Sequence, residues 1–137
     1  MAPLKQKGDL AELMVAADLR RRGYKIAIPF GEDWDYDLII ERHGRLERIQ
    51  VKHFTSKGST IHVRCYSKSL TNGRVKKTKP YTAATVDWIA VWDPTTARPY
   101  YVPAETFDGY LQITLRLTPA RNNQLRGVRD AQDFLEI

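Results

Sequence analysis

The chain has 137 residues, of which 42% are hydrophobic and 28% charged, a composition typical of one globular unit with its own core. It contains no apolar run near the ~20 residues of a membrane span and no hydrophobic segment of the signal-peptide kind, so we expect a soluble, cytoplasmic protein. A single cysteine, Cys65, excludes an internal disulfide and a zinc site built from cysteines.

Charge is distributed unevenly along the chain. Lys and Arg number 22 against 16 acids, which gives a net charge of +6. The segment from Lys52 to Lys79 contains eight cations and no acid, whereas four acids lie within residues 32–37. A basic surface favours a polyanion such as nucleic acid, and carboxylates beside it repel phosphate unless a divalent cation lies between them. From charge alone, the alternative is a solvated surface that happens to be basic.

The first half of the chain is predicted to form one helix and several strands. The helix covers residues 8–22, ends at Gly23 and has apolar residues around most of its circumference, so we expect it to be buried on several sides. Strands are expected at residues 24–29, 36–42 and 46–52. The second and third of these are joined by a hairpin turn at His43-Gly44-Arg45.

The second half is predicted to be mixed. Further strands are expected at residues 60–66, 87–93, 98–103 and 112–117, of which 87–93 is apolar throughout and therefore covered on both faces. Between and after them we expect a polar, mobile loop at 67–79, a short helix at 81–85 and a closing helix at 128–135. This order predicts an α/β (α+β) domain with a mixed central sheet flanked by helices.

Three polar residues are predicted to converge on one face of the hairpin. Gln50 and Lys52 are two positions apart in one strand and therefore point to the same face, while Ile49 and Val51 point into the core. The tight turn brings Asp37 near Gln50 in the neighbouring strand. An acid, an amide carbonyl and a lysine placed in this way are suited to holding a divalent cation with an ammonium group beside it.

Two further acids bear on this site. Glu12 lies among apolar residues of its helix, where a buried carboxylate needs a cation, a metal or a proton as its partner. Lys52 or a metal held by Asp37 is the expected partner, and pairing with a nearby arginine is the alternative. Asp35 shares a face with Asp37 by alternation, so one alternative is an acid that supports the metal ligands without binding the metal; we expect it instead to be solvated on its loop.

These runs resemble the PD-(D/E)xK nuclease superfamily. The resemblance rests on KGDLAE (Lys7–Glu12), on Pro29-Phe30-Gly31 followed by Asp37 in DYDLII, and on Gln50-Val51-Lys52. Within the superfamily the chain is most similar to the small endonucleases encoded in group I introns, in which glutamine can replace the second acid. It is similar as well to the archaeal-type Holliday junction resolvases. The resemblance is strong over about residues 7–54 and continues more weakly over most of the chain.

The resemblance implies a restriction-endonuclease-like core, with residues 1–137 forming a single nuclease domain. It implies Mg²⁺-dependent hydrolysis of DNA phosphodiester bonds, with Mn²⁺ able to substitute. Asp37, Gln50, the Val51 carbonyl and Glu12 would bind one or two metal ions. Lys52 would orient the attacking water, help to deprotonate it, or stabilise developing negative charge. The catalytic set is therefore Glu12, Asp37, Gln50 and Lys52.

The same interpretation extends to DNA contacts and assembly. Basic residues of four segments are expected to contact the DNA backbone: Lys5, Lys7, Lys57, Arg74, Lys76, Lys77, Lys79, Arg121 and Arg126. Because cutting both strands usually requires two copies of a small single-site nuclease, we expect a homodimer or a dimer of dimers. Residues 100–103 and 112–117 are the candidate interface.

Three functions stay open at this point. The first is an endonuclease resembling a Holliday junction resolvase, which makes paired nicks in branched DNA. The second is a site-specific, homing-type double-strand endonuclease. The third keeps the fold and the basic surface as a catalytically weak DNA-binding protein. Gln50 favours the third, whereas Lys52 and Glu12 beside Asp37 argue against it.

Overall fold

In the computed structural model a mixed sheet lies between a long helix and a smaller sheet. The structure describes residues 4–71, 74–118 and 128–137, and of residues 69–71 and 74–77 the backbone only. The helices are α1 (Leu4–Arg21), α2 (Ala104–Phe107) and a 3₁₀ turn (Ala131–Phe134). The strands are β1 (Lys25–Ala27), β2 (Leu38–Arg42), β3 (Arg45–His53), β4 (Thr60–Arg64), β5 (Tyr66–Thr71), β6 (Arg74–Pro80), β7 (Trp88–Asp93), β8 (Arg98–Pro103), β9 (Gln112–Arg116) and β10 (Val128–Asp130).

Helix α1 ends where its sequence predicts. Gly23 has a φ of +91°, and the N–H of Tyr24 donates to the Leu19 carbonyl at 3.1 Å, the pattern of a Schellman cap. The expectation that α1 is buried on several sides is wrong, because the helix packs with one side only on the sheet. Leu10 and Leu13 are therefore 48% and 67% exposed.

The central sheet has the order β1-β2-β3-β7-β8, with β3 and β7 parallel and the other neighbours antiparallel. Strands β2 and β3 form the predicted hairpin, since Arg42 pairs with Arg45. His43 and Gly44 both have positive φ, at 54° and 74°, as a two-residue type I′ turn requires. The register pairs Leu38 with Ile49, so Asp37 lies opposite Gln50 as expected.

The two faces of this sheet bury two cores. On one face, Val15 and Leu19 of α1 pack against Ile40, Ile49 and Val51. On the other face, the sheet β10-β9-β4 covers Ile89 and Val91 of β7. Strand β7 is therefore covered on both faces, as its unbroken apolar run predicts. The predicted α+β class with a mixed central sheet is confirmed.

Three predictions for the second half are wrong. Residues 67–79 belong largely to the β5–β6 hairpin, whose polar strands pair without apolar alternation. Residues 81–85 form a turn closed by the Val86 N–H on the Thr82 carbonyl, and residues 128–135 form β10 and the 3₁₀ turn. In the candidate interface strands, Tyr101, Ile113 and Leu115 are buried in the cores of the chain itself, while β8 is an edge strand of the central sheet; the interface stays a prediction. No helix in the described part of the chain is long and apolar enough to cross a membrane.

Candidate active site

Asp37 is fixed at the point where the β2–β3 ladder ends. Its N–H donates to the Ile49 carbonyl at 2.9 Å, and its Oδ2 accepts from the Val51 N–H at 2.9 Å. Burial raises the pKa of the Asp37 carboxyl, an effect that the Val51 N–H and the Lys52 ammonium oppose. The carboxylate is thus held in one orientation in a partly buried environment.

The Val51 carbonyl lies on the same side of β3 as Asp37. In an antiparallel pair the N–H and C=O of one residue point to the same side of the strand. The N–H of Val51 points to Asp37, and the last pair of the ladder is Leu38 with Ile49. The Val51 carbonyl therefore projects beyond the end of β2, on the side of Asp37.

Gln50 is buried, with 8% of its surface exposed, and its amide is held from one end. Its Nε2 donates to the main-chain carbonyl of Asp35 at 2.7 Å. That bond uses a donor of the amide, whose acceptor is its oxygen. A carboxylate at this position would place an oxygen against the Asp35 carbonyl, so the amide suits this site.

Glu12 lines the same cleft as Asp37. The cleft has a volume of about 190 Å³, and Pro29, Gly31 and Trp34 are among its other walls. Burial, then the charges of Asp37 and Asp9, raise the pKa of the Glu12 carboxyl to about 7. Among the described residues no ion pair involves Glu12, so neither Lys52 nor an arginine is its ion-pair partner there. Two neighbouring carboxylates that form no ion pair among the described residues attract a cation.

The raised pKa of Glu12 predicts a more stable variant. Folding raises the pKa of this carboxyl from 4.5 to about 7, so its protonated form is favoured in the folded protein. Its contribution to stability is therefore complete below pH 4.5 and is lost as the pH rises through about 7. We therefore expect Glu12→Gln to gain about 1 kcal/mol over the parent at pH 8 without metal, after discounting for solvent screening. Urea unfolding in EDTA at pH 5 and pH 8 measures it. An equal difference at the two pH values contradicts the prediction.

Lys52 lies on the face of β3 opposite Ile49 and Val51, as predicted, and the base of the β5–β6 hairpin holds it. Its Nζ is 3.4 Å from the Tyr66 carbonyl and 3.4 Å from the Tyr81 hydroxyl, and it lies 5.0 Å from the centre of the Tyr81 ring. Burial, and then the nearby Arg64, lower the pKa of Lys52. Sequence analysis missed Tyr81, whose contact with Lys52 spans 29 residues and leaves no local signal.

Tyr81→Phe tests the role of this contact. The change removes the hydroxyl and keeps the ring beside the ammonium, so we expect about a fivefold loss of cleavage rate, the value of one modest hydrogen bond. Single-turnover cleavage measures it. Tyr100→Phe is the matched control, because Tyr100 lies in the same core and its hydroxyl contacts Thr96 instead. Equal losses in the two variants would assign the effect to packing.

The predicted DNA-contacting residues lie in separate parts of the structure. Lys5 and Lys7 lie in the first turns of α1, and Lys57 is exposed just before β4. Arg74, Lys76 and Lys77 lie on β6, where only the backbone is described, and Arg121 and Arg126 fall outside the described residues. Lys79 is paired with Asp35 at 3.0 Å, so the expectation that Asp35 is simply solvated is wrong.

The donors gathered here are those of a hard divalent cation. The Glu12 and Asp37 carboxylates line the cleft, and the Gln50 amide oxygen and the Val51 carbonyl are candidate oxygen donors from β3, outside that lining. Within the described residues no three His, Cys, Asp or Glu side chains lie together as metal ligands. A cation held by the two carboxylates would take its other ligands from amide, main-chain or water oxygens.

Comparisons with known proteins point to one family. A family model described as PD-(D/E)XK endonuclease matches residues 3–137. Among solved structures, a bacterial homing endonuclease shares the fold, with a TM-score of 0.75 and 23% identity, covering 97% of this chain and 88% of that one. Among curated proteins no sequence matches.

Proposed function

Because the chain belongs to the PD-(D/E)XK endonuclease family, a family of DNA-cutting enzymes, we propose that it hydrolyses DNA with Mg²⁺ at the cleft of Glu12 and Asp37. One observation carries the proposal. Asp37 is held by Val51 at the end of the β2–β3 ladder, beside a second carboxylate whose pKa is raised to about 7. Such a pair of acids next to a partly buried lysine suits metal-assisted hydrolysis.

Each residue of the site has its own role in the proposed hydrolysis. Glu12 and Asp37 supply the negative charge that holds the cation, and Gln50 and the Val51 carbonyl complete its oxygen ligands. When bound, Mg²⁺ lowers the pKa of water and offsets charge on the phosphate. Lys52 orients the attacking water or donates a hydrogen bond to oxygen that gains charge. Burial lowers the pKa of Lys52, which brings its ammonium closer to the range useful for proton exchange. Mn²⁺ is expected to substitute for Mg²⁺.

The favoured substrate is a specific duplex site cut in both strands, as by a homing endonuclease. The fold similarity to a bacterial homing endonuclease supports this choice, and so does Gln50 in the place of the second acid. A resolvase that nicks four-way junctions is the second candidate, supported by the sequence resemblance of residues 7–54. Either activity requires two active sites, and we propose a homodimer or a dimer of dimers.

Cleavage of two substrates separates the candidates. The protein is incubated with a duplex library of randomised sequence and with an immobile four-way junction, each with Mg²⁺ and with EDTA, and the ends are sequenced. A homing-type enzyme yields double-strand ends at one long site with a constant stagger. A resolvase yields paired nicks in the junction whatever its sequence. Tight binding with no cutting of either substrate assigns the chain to the catalytically weak DNA-binding class.

The basic hairpin is the proposed contact with the DNA backbone. Changing Lys76 and Lys77 together to Ala is expected to weaken duplex binding and to lower the salt slope by about 2, since each phosphate contact contributes ~0.9. Fluorescence anisotropy at several salt concentrations measures both quantities. The control is Lys25→Ala with Arg98→Ala, exposed cations on the outer strands of the central sheet. Identical slopes for the two double variants contradict the assignment.

A further inference from the structure

Three residues form a continuous chain of contacts from the β5–β6 hairpin to Gln50 on β3. Lys79, near the end of β6, places its Nζ 3.0 and 3.2 Å from the two carboxylate oxygens of Asp35. The main-chain carbonyl of Asp35 accepts from Gln50 Nε2 at 2.7 Å. Residues 79, 35 and 50 come from three separate parts of the sequence and meet only in the folded chain.

The orientation of Gln50 depends on that carbonyl. An amide side chain carries a donor at one end and an acceptor at the other, and its two orientations differ only in which end meets which partner. The Asp35 carbonyl accepts and cannot donate, so it binds the Nε2 end of Gln50 and turns the oxygen the other way. Displacing the carbonyl removes this preference.

The Asp35 carbonyl is itself in a loop between β1 and β2, outside either strand. The loop has positive φ at Gly31 and Asp33, and its residues 31–34 are exposed. Within the described residues, the contact of Lys79 with both carboxylate oxygens is the ion pair that ties this loop to another element. Lys79 thus restrains the residue whose carbonyl orients Gln50.

We propose that Lys79 and Asp35 are positioning residues that hold the Gln50 amide oxygen toward the metal site. The inference rests on the proposed function, in which Gln50 is a ligand. Lys79 is then not simply a DNA contact, as the sequence predicted. Through Lys79, the end of the β5–β6 hairpin supports the metal site. DNA bound by the hairpin would then affect the Lys79–Asp35 ion pair.

Lys79→Met gives a test in which two explanations predict opposite signs. If Lys79 acts only through its charge, its removal from the neighbourhood of a cation site tightens cation binding. If Lys79 positions Gln50, its removal weakens binding, as loss of an outer contact to a ligand does. We expect Mn²⁺ affinity, measured without DNA by the electron paramagnetic resonance of free Mn²⁺, to fall roughly 10-fold, the lower end of the usual loss for an outer contact to a ligand.

Four further variants complete the experiment. Asp35→Asn is expected to weaken Mn²⁺ binding too. The double variant Lys79→Met with Asp35→Asn is expected to bind Mn²⁺ at least as well as the poorer-binding single variant, because both changes break the same contact. Lys79→Arg retains the contact and is expected to restore most of the affinity. Lys68→Met, an exposed lysine of the same hairpin whose ammonium lies over the Tyr66 ring, leaves Mn²⁺ affinity unweakened. Circular dichroism checks that every variant is folded.

The outcomes distinguish this inference from the proposed function. Unchanged or tighter Mn²⁺ binding by a folded Lys79→Met variant overturns the positioning role. Asp37→Asn serves as the reference in the same titration. If Asp37→Asn loses Mn²⁺ binding while Lys79→Met retains it, only the inference fails. If Asp37→Asn binds Mn²⁺ like the parent, the metal site itself is misplaced and the proposed function fails with it.

Discussion

Asp37→Asn is expected to lower the rate of DNA cleavage by about 10³-fold while the protein remains folded. The amide has the size of the carboxylate, and its oxygen can still accept from the Val51 N–H, so the end of the β2–β3 ladder is kept. What disappears is the negative charge that holds the cation. Because burial already raises the pKa of Asp37, losing the charge also removes a desolvation cost, and we expect no loss of stability.

Single-turnover cleavage at saturating protein measures this effect apart from binding. DNA affinity in EDTA is expected to stay the same or to rise, since one carboxylate near the phosphates is gone. Asp33→Asn is the matched control: Asp33 lines the same cleft and is exposed, and it contributes the same change in charge. A rate for Asp37→Asn within a few fold of the Asp33→Asn rate would show that Asp37 is not a metal ligand.

Lys52→Met is expected to lower the cleavage rate by about 10²-fold, the usual contribution of a positioned acid, base or hydrogen-bond donor. Met keeps an unbranched stem of similar length beside the Tyr81 ring and removes only the ammonium. Since burial opposes the charge of Lys52, its removal is expected to leave the melting temperature unchanged or raise it. The loss in rate would then be chemical.

The measurement for Lys52 again separates chemistry from binding. Cleavage is followed in a single turnover, and Mn²⁺ affinity is titrated without DNA. We expect the rate to fall while Mn²⁺ binding is retained, because removing a cation does not weaken a cation site. Lys57→Met, an exposed lysine beyond the end of β3 and a predicted DNA contact, is the control for loss of a phosphate-contacting charge. An equal fall in rate in both variants would make Lys52 a DNA contact. Its proposed role in orienting the attacking water would then be wrong.

Much of the candidate site follows from local rules that the sequence displays. Gly44 marks a tight turn, and alternation assigns Ile49 and Val51 to one face and Gln50 to the other. Together they set the register that brings Asp37 opposite Gln50. These features act over about a dozen residues, within which turn chemistry and side-chain period decide the structure. The end of α1 at Gly23 follows from the same kind of rule.

The β5–β6 hairpin was missed for an identifiable reason. Its strands are rich in Lys, Ser and Thr, so they lack the apolar alternation by which strands are recognised. The Asn-Gly dipeptide at residues 72–73 is a sequence signal for a hairpin, but the polar composition of its flanks pointed to a loop. Similarly, β10 has three residues, too few for a period to show.

Contacts across the fold were decided by tertiary structure alone. Lys79 meets Asp35 across 44 residues, and Lys52 meets Tyr81 across 29. No periodicity connects such positions, because their distance depends on how the hairpin leaves β4 and where the loop before β2 lies. The sequence by itself therefore determined which residues share the face of the β2–β3 hairpin. Only the packing of separate elements decided which groups hold Gln50 and Lys52 in place.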